Sequence, residues 1–133
     1  MAIRAIDHFV LTVTDIEATV EFYTRHLGLG VQRFVPAGGG AVRVALVCGA
    51  QKINLHAAGA EFRPHAAHPT RGAGDFCLLT DEPVAALAAR LAAGGVTVED
   101  GPVARSGAQG PLSSIYVRDP DANLVEIANQ IEA

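Results

Sequence analysis

Residues 5–14 (AIDHFVLTVT) are apolar and β-branched with polar interruptions, the pattern of a strand. Asp15 then offers a helix N-cap. Ala18, Phe22 and Leu27 build an apolar stripe that runs on to about His26, and Gly28-Leu29-Gly30 stops the helix, because glycine accepts left-handed dihedrals. Strands are expected at 31–35, 41–47 and 52–57, separated by the Gly38-Gly39-Gly40 and Gly49-Ala50 turns. The order strand, helix, strand, strand, strand then begins again. A strand is expected at 74–80 (GDFCLLT) and a helix over 82–93 that opens with Pro83 and ends at Gly94-Gly95. Strands at 96–99, 112–118 and 124–129 follow, with 101–111 read as a Gly- and Pro-bearing loop and 119–123 as a turn.

This internal repeat organises the chain. HFVLTV at His8 aligns with DFCLLT at Asp75, and KINLH ending at His56 aligns with NLVEI at Asn123 to Ile127. With these strands set so that Asn54 matches Glu126, His56 lies one pleat further on the same face. The expected fold class is therefore α+β: two pseudo-symmetric βαβββ modules, about 5–57 and 74–130, forming a half-closed barrel in one domain. Residues 58–73 (AGAEFRPHAAHPTRGA) have prolines at 64 and 69 and glycines at 59 and 72, and read as a connector. A connector of that length is uncommon unless it crosses between sheets, covers a pocket, or lets halves exchange between chains.

Composition narrows the function classes. The chain has 133 residues, half of them hydrophobic, which suits one well-buried core. Ten basic against fourteen acidic side chains give a formal charge of −4 with no basic stripe, so a nucleic-acid partner is not expected. Cys48 and Cys77 are the only cysteines and form no C-x-x-C pair; they read as free thiols in a reducing compartment. No uncharged run is long enough to span a bilayer, and the expectation is a soluble cytoplasmic protein with a small-molecule substrate.

Alternation along the strands places candidate chemistry on shared faces. His8 lies with Ile6, Val10 and Thr12, and His56 with Lys52 and Asn54. Asp75 lies with Cys77 and Leu79, and Glu126 with Leu124 and Ala128. If a pseudo-twofold axis relates the halves, these polar groups converge on one pocket. A carboxylate in such a place is costly unless paired or coordinated. Two imidazoles and a carboxylate with vacant positions suit a divalent ion such as iron, manganese, nickel, cobalt or zinc. His8, His56 and Glu126 are the candidate ligands. Asp75 and Asn54 are possible further ligands or acceptors that orient a histidine. His26 reads as a structural residue at a helix C-terminus, while His65 and His68 in the connector are solvated or lie over the pocket mouth.

IDHFVLTVTDIEATVEFYTRHLGLGV, KINLH and YVRDPDANLVEI together resemble the vicinal-oxygen-chelate superfamily of glyoxalase I, fosfomycin resistance proteins, extradiol dioxygenases and bleomycin-binding proteins. With EFRPHAAHP and GPVARSGAQGP the chain is similar to the branch called glyoxalase-domain-containing protein five. The resemblance implies a metal site with His8 at the first-strand ligand position and Glu126 at the last. The fourth-strand position holds Asn54, with His56 two residues on, and the fifth-strand position holds Asp75. It also implies a homodimer. A lyase or isomerase reaction on a chelated, oxygenated substrate is the leading expectation, with Glu126 or Asp75 as the carboxylate base; an extradiol dioxygenase ranks second. The alternative is a metal-free, bleomycin-resistance-like binding protein, for which two Tyr, five Phe and no Trp offer little to stack with.

Overall fold

A computed structural model describes residues 2–132. The chain divides into two compact units between Gly72 and Ala73, so all of the expected connector but Ala73 belongs to the first. Each unit is a strand, a helix and three further strands, as the repeat predicts.

The first unit contains β1 (His8–Val13), α1 (Ile16–Leu27), β2 (Gly30–Phe34), β3 (Arg43–Cys48) and β4 (Gln51–Ala57), in the sheet order β1-β4-β3-β2. β1 and β4 are parallel, and the other pairs are antiparallel. Leu11 and Val13 share a face with Leu55, Ile53, Val44 and Leu46, all buried, and α1 buries Thr19 and Tyr23. Asp15 caps α1 as expected: its Oδ1 accepts from the Ala18 N–H at 3.0 Å. Gly28, at φ 71°, ends the helix in the left-handed region.

The second unit contains β5 (Asp75–Leu79), α2 (Val84–Ala93), β6 (Asp100–Gly107), β7 (Gly110–Arg118) and β8 (Leu124–Gln130), in the same order, β5-β8-β7-β6. Its core joins Val84, Leu87 and Leu91 of α2 to Ile115, Val117, Val125 and Ile127. Three sequence expectations differ here. Residues 96–99 are not a strand, and most of 101–111 is strand rather than loop. β6 lies at the sheet edge, where Pro102 costs no ladder bond, and Gly101 (φ 102°) sits at an irregularity between Asp100 and Val103. α2 also starts one residue after Pro83. No helix among the described residues is long and apolar enough to cross a membrane.

Candidate functional site

The polar candidates lie on the sheet faces turned away from the helices, as the alternation predicts. In the first unit His8 pairs with Lys52, Val10 with Asn54 and Thr12 with His56. His8 is half exposed, and its Nδ1 is 2.8 Å from Asp7 Oδ2. His56 is buried, with 6% of its surface left, and its ring meets Phe62 edge-on at 5.3 Å. Burial lowers the His56 pKa below its ordinary value. Arg43 and His65 push in the same direction, and Glu61 opposes them.

The register separates the two histidines of this unit. His8 and His56 stand four residues out of step, roughly 13 Å along adjacent strands at about 3.3 Å per residue. Side chains that stand upright on a sheet do not close that gap to share one ion at about 2 Å from each donor. Within this unit, therefore, the two histidines do not form a common ligand pair. Asn54 is one pleat from His8, as the repeat register implies.

What the sequence pattern does not reveal surrounds His56. Arg43, the residue beside it on β3, lies over the Phe62 ring at 4.1 Å, and Lys52 lies over Phe34 at 4.0 Å. Arg43 Nε, Asn54 Oδ1 and His56 Nδ1 are buried without a hydrogen-bond partner. Alternation places Asn54 and His56 on one face, but nothing in the sequence signals Arg43 or Phe62, because Phe62 comes from the connector and only the strand register brings Arg43 to His56.

In the second unit Glu126 lies between Cys77 of β5 and Tyr116 of β7. Ser114 donates its hydroxyl to Glu126 Oε2 at 2.6 Å, a contact that the SSIYV run does not announce. Burial, then the Glu126 charge and its hydrogen bond, push the Cys77 thiol up to about 11. Such a thiol is protonated at neutral pH and is a poor nucleophile. Asp75 is exposed at the start of β5, paired with Leu124 and one pleat from Glu126. Asp119 and Asn123 fix the turn that delivers β8: Asn123 Nδ2 donates to Asp119 Oδ2 at 2.8 Å, and Asn123 Oδ1 accepts from the Gly74 N–H at 2.7 Å. Within either unit, among the described residues, no three His, Cys, Asp or Glu side chains gather as a metal-holding group. The other histidines are peripheral. His26 meets the Phe22 ring at a tilt, with centroids 5.3 Å apart, His65 Nδ1 lies 2.8 Å from the Ala66 carbonyl, and His68 is exposed.

The family model for the glyoxalase/bleomycin resistance protein/dioxygenase superfamily matches residues 5–127. The chain belongs to this superfamily. This glyoxalase-superfamily chain is 44% identical to the virulence protein STM3117 of Salmonella typhimurium, over 98% of its own length and 88% of that protein's. The crystal structure of STM3117 superposes with a TM-score of 0.88, covering 98% of this chain and 100% of that one. It is also 44% identical to the glyoxalase domain-containing protein RDO1 of Mycosarcoma maydis, over all of this chain and 72% of that protein. A lactoylglutathione lyase from Agrobacterium tumefaciens is 27% identical, with a TM-score of 0.67 over 96% of this chain and 94% of that one.

Proposed function

We propose that this superfamily member is a metal-dependent enzyme of lyase or isomerase type acting on a small oxygenated molecule, with His8 and Glu126 as metal donors. The observation that carries the reading is the state of those two side chains. His8 is held through Nδ1 by the Asp7 carboxylate, which leaves Nε2 to coordinate. Glu126 is held through Oε2 by Ser114, which leaves Oε1. Ligating imidazoles and carboxylates are commonly steadied by a second hydrogen bond of this kind. The likeness to a lactoylglutathione lyase supports the reaction type.

His56 is left out of the donor set because of its register with His8. A divalent ion bound there would supply Lewis acidity to a substrate oxygen. Glu126 contributes the carboxylate that takes a proton from carbon, and Ser114 orients it. The test is metal analysis of tag-free protein after exposure to iron, manganese, nickel, cobalt or zinc. About one ion per chain is expected, lost in His8→Ala and Glu126→Ala and kept in His56→Ala. Equal metal content in wild type and His8→Ala would overturn the assignment.

A second reading, metal-free sequestration of a small molecule, is favoured by the unpartnered polar atoms of Arg43, Asn54 and His56, which a bound ligand would satisfy without a metal. Protein that carries no metal in that experiment yet binds a small molecule tightly would select it.

A further inference from the structure

We propose that the sheet face of the first unit turned away from α1 is an anion-binding subsite, in which Arg43, Asn54 and His56 beneath Phe62 receive a carboxylate or phosphate group. It deepens the reading above by giving the small oxygenated substrate an anionic group. The polar trio itself is independent of any metal.

Three observations carry it. First, the unpartnered buried atoms belong to neighbouring positions on one face: Asn54 and His56 alternate along β4, and Arg43 stands beside His56 on β3. Buried polar atoms are nearly always satisfied, so three together mark a place where an outside partner belongs. Second, Arg25, Arg33, Arg90, Arg105 and Arg118 each lie within 4 Å of a carboxylate; of the arginines with no carboxylate beside them among the described residues, Arg4, Arg63 and Arg71 are exposed and only Arg43 is half-buried. Lys52, on the same face, likewise rests only on an aromatic ring. Third, the donor chemistry suits an oxyanion. A guanidinium lying on Phe62 keeps its N–H edge free for the paired bonds that carboxylate and phosphate accept. A neutral imidazole adds one N–H, and the Asn54 amide turns to present donor or acceptor. A cation is disfavoured by Arg43 and Lys52. Glu61 is the one carboxylate that His56 senses, and it is held by the Gly59 N–H at 2.7 Å.

The experiment uses the full chain stripped of metal with a chelator, so it stands or falls separately from the His8 and Glu126 assignment. Inorganic phosphate and acetate are titrated in separate arms, with chloride as the control. The Arg43 guanidinium and His56 ring resonances are followed by NMR. Saturable shifts in both residues are expected with at least one of the two anions, and the stronger arm identifies the group. Arg43→Gln should weaken that affinity about tenfold or more, as loss of a charge-assisted paired contact does, with Arg43→Lys intermediate. Arg90→Gln on α2 should leave it unchanged. If the trio is satisfied by ordered water alone, neither anion shifts these resonances and the proposal is overturned. It is equally overturned if folded Arg43→Gln or Arg43→Lys protein binds as wild type does.

Discussion

At the residue scale, the most informative side chain is one that the sequence marks for another role. His56 is a candidate ligand by pattern because it ends KINLH on the inward face. Its burial and inward face follow from alternation, but its neighbours do not. Arg43 and Phe62 reach it through strand pairing and through the connector, and neither leaves a periodic signal. Its lowered pKa has a consequence for stability. A histidine whose folded-state pKa lies below the unfolded value binds fewer protons when folded. Its contribution is therefore complete above the ordinary pKa of 6.5 and is lost as pH falls through the depressed one. Urea midpoints should drop between about pH 7.5 and about pH 5.5, with a shallower slope in His56→Gln. The lowered carboxylates, Glu17, Glu61 and Glu82, titrate below this window and do not confuse it. Identical pH profiles for wild type and His56→Gln would show that burial of this imidazole is not what sets the dependence.

At the element scale, the two helices show what a sequence can and cannot announce about its own boundaries. The start of α1 is legible because its cap is local: Asp15 reaches an N–H three residues away. The start of α2 is not, because Pro83 offers no capping side chain and the cap comes from β8. Asn129 Oδ1 accepts from the Val84 N–H at 2.9 Å, while its Nδ2 donates to the Thr80 and Glu82 carbonyls at 2.9 and 2.8 Å. One side chain thus ties a helix start to a strand 45 residues later. Asp15→Ala should cost about 1 kcal/mol, the usual value for a cap. Asn129→Ala should cost about 2–3 kcal/mol, because it leaves a helix N–H and two carbonyls without their partner. Chemical denaturation of the two variants compares them directly, and a smaller loss for Asn129→Ala would reverse this ranking. The same locality explains β6. Gly101 and Pro102 punctuate the sequence like a loop, and only their place on a sheet edge makes them compatible with a strand.

At the scale of the whole molecule, the repeated sheet order accounts for most of what is readable in the sequence: βαβββ twice, with helix-side cores built from alternating positions. Some apolar surface is left over. Ile3 and Ile6 keep 79% and 70% of their surface, and Phe9 and Val10 continue this run into β1; Leu79 and Ile131 are likewise exposed in the second unit. Single exposed apolar residues are ordinary, but a run along one segment is where an association surface is expected. A second copy of this chain is the expected cover, in keeping with the homodimer that the family resemblance implies. Light scattering should then give about twice the 13.8 kDa of the chain. Replacing Ile3 and Ile6 together by Glu should move the mass toward that of one chain without changing the circular dichroism, because neither side chain belongs to a buried core. The mass should also depend on concentration in the variant more than in the wild type, since association is governed by mass action. A wild-type mass of one chain at every concentration tested would mean that this N-terminal run stays in water.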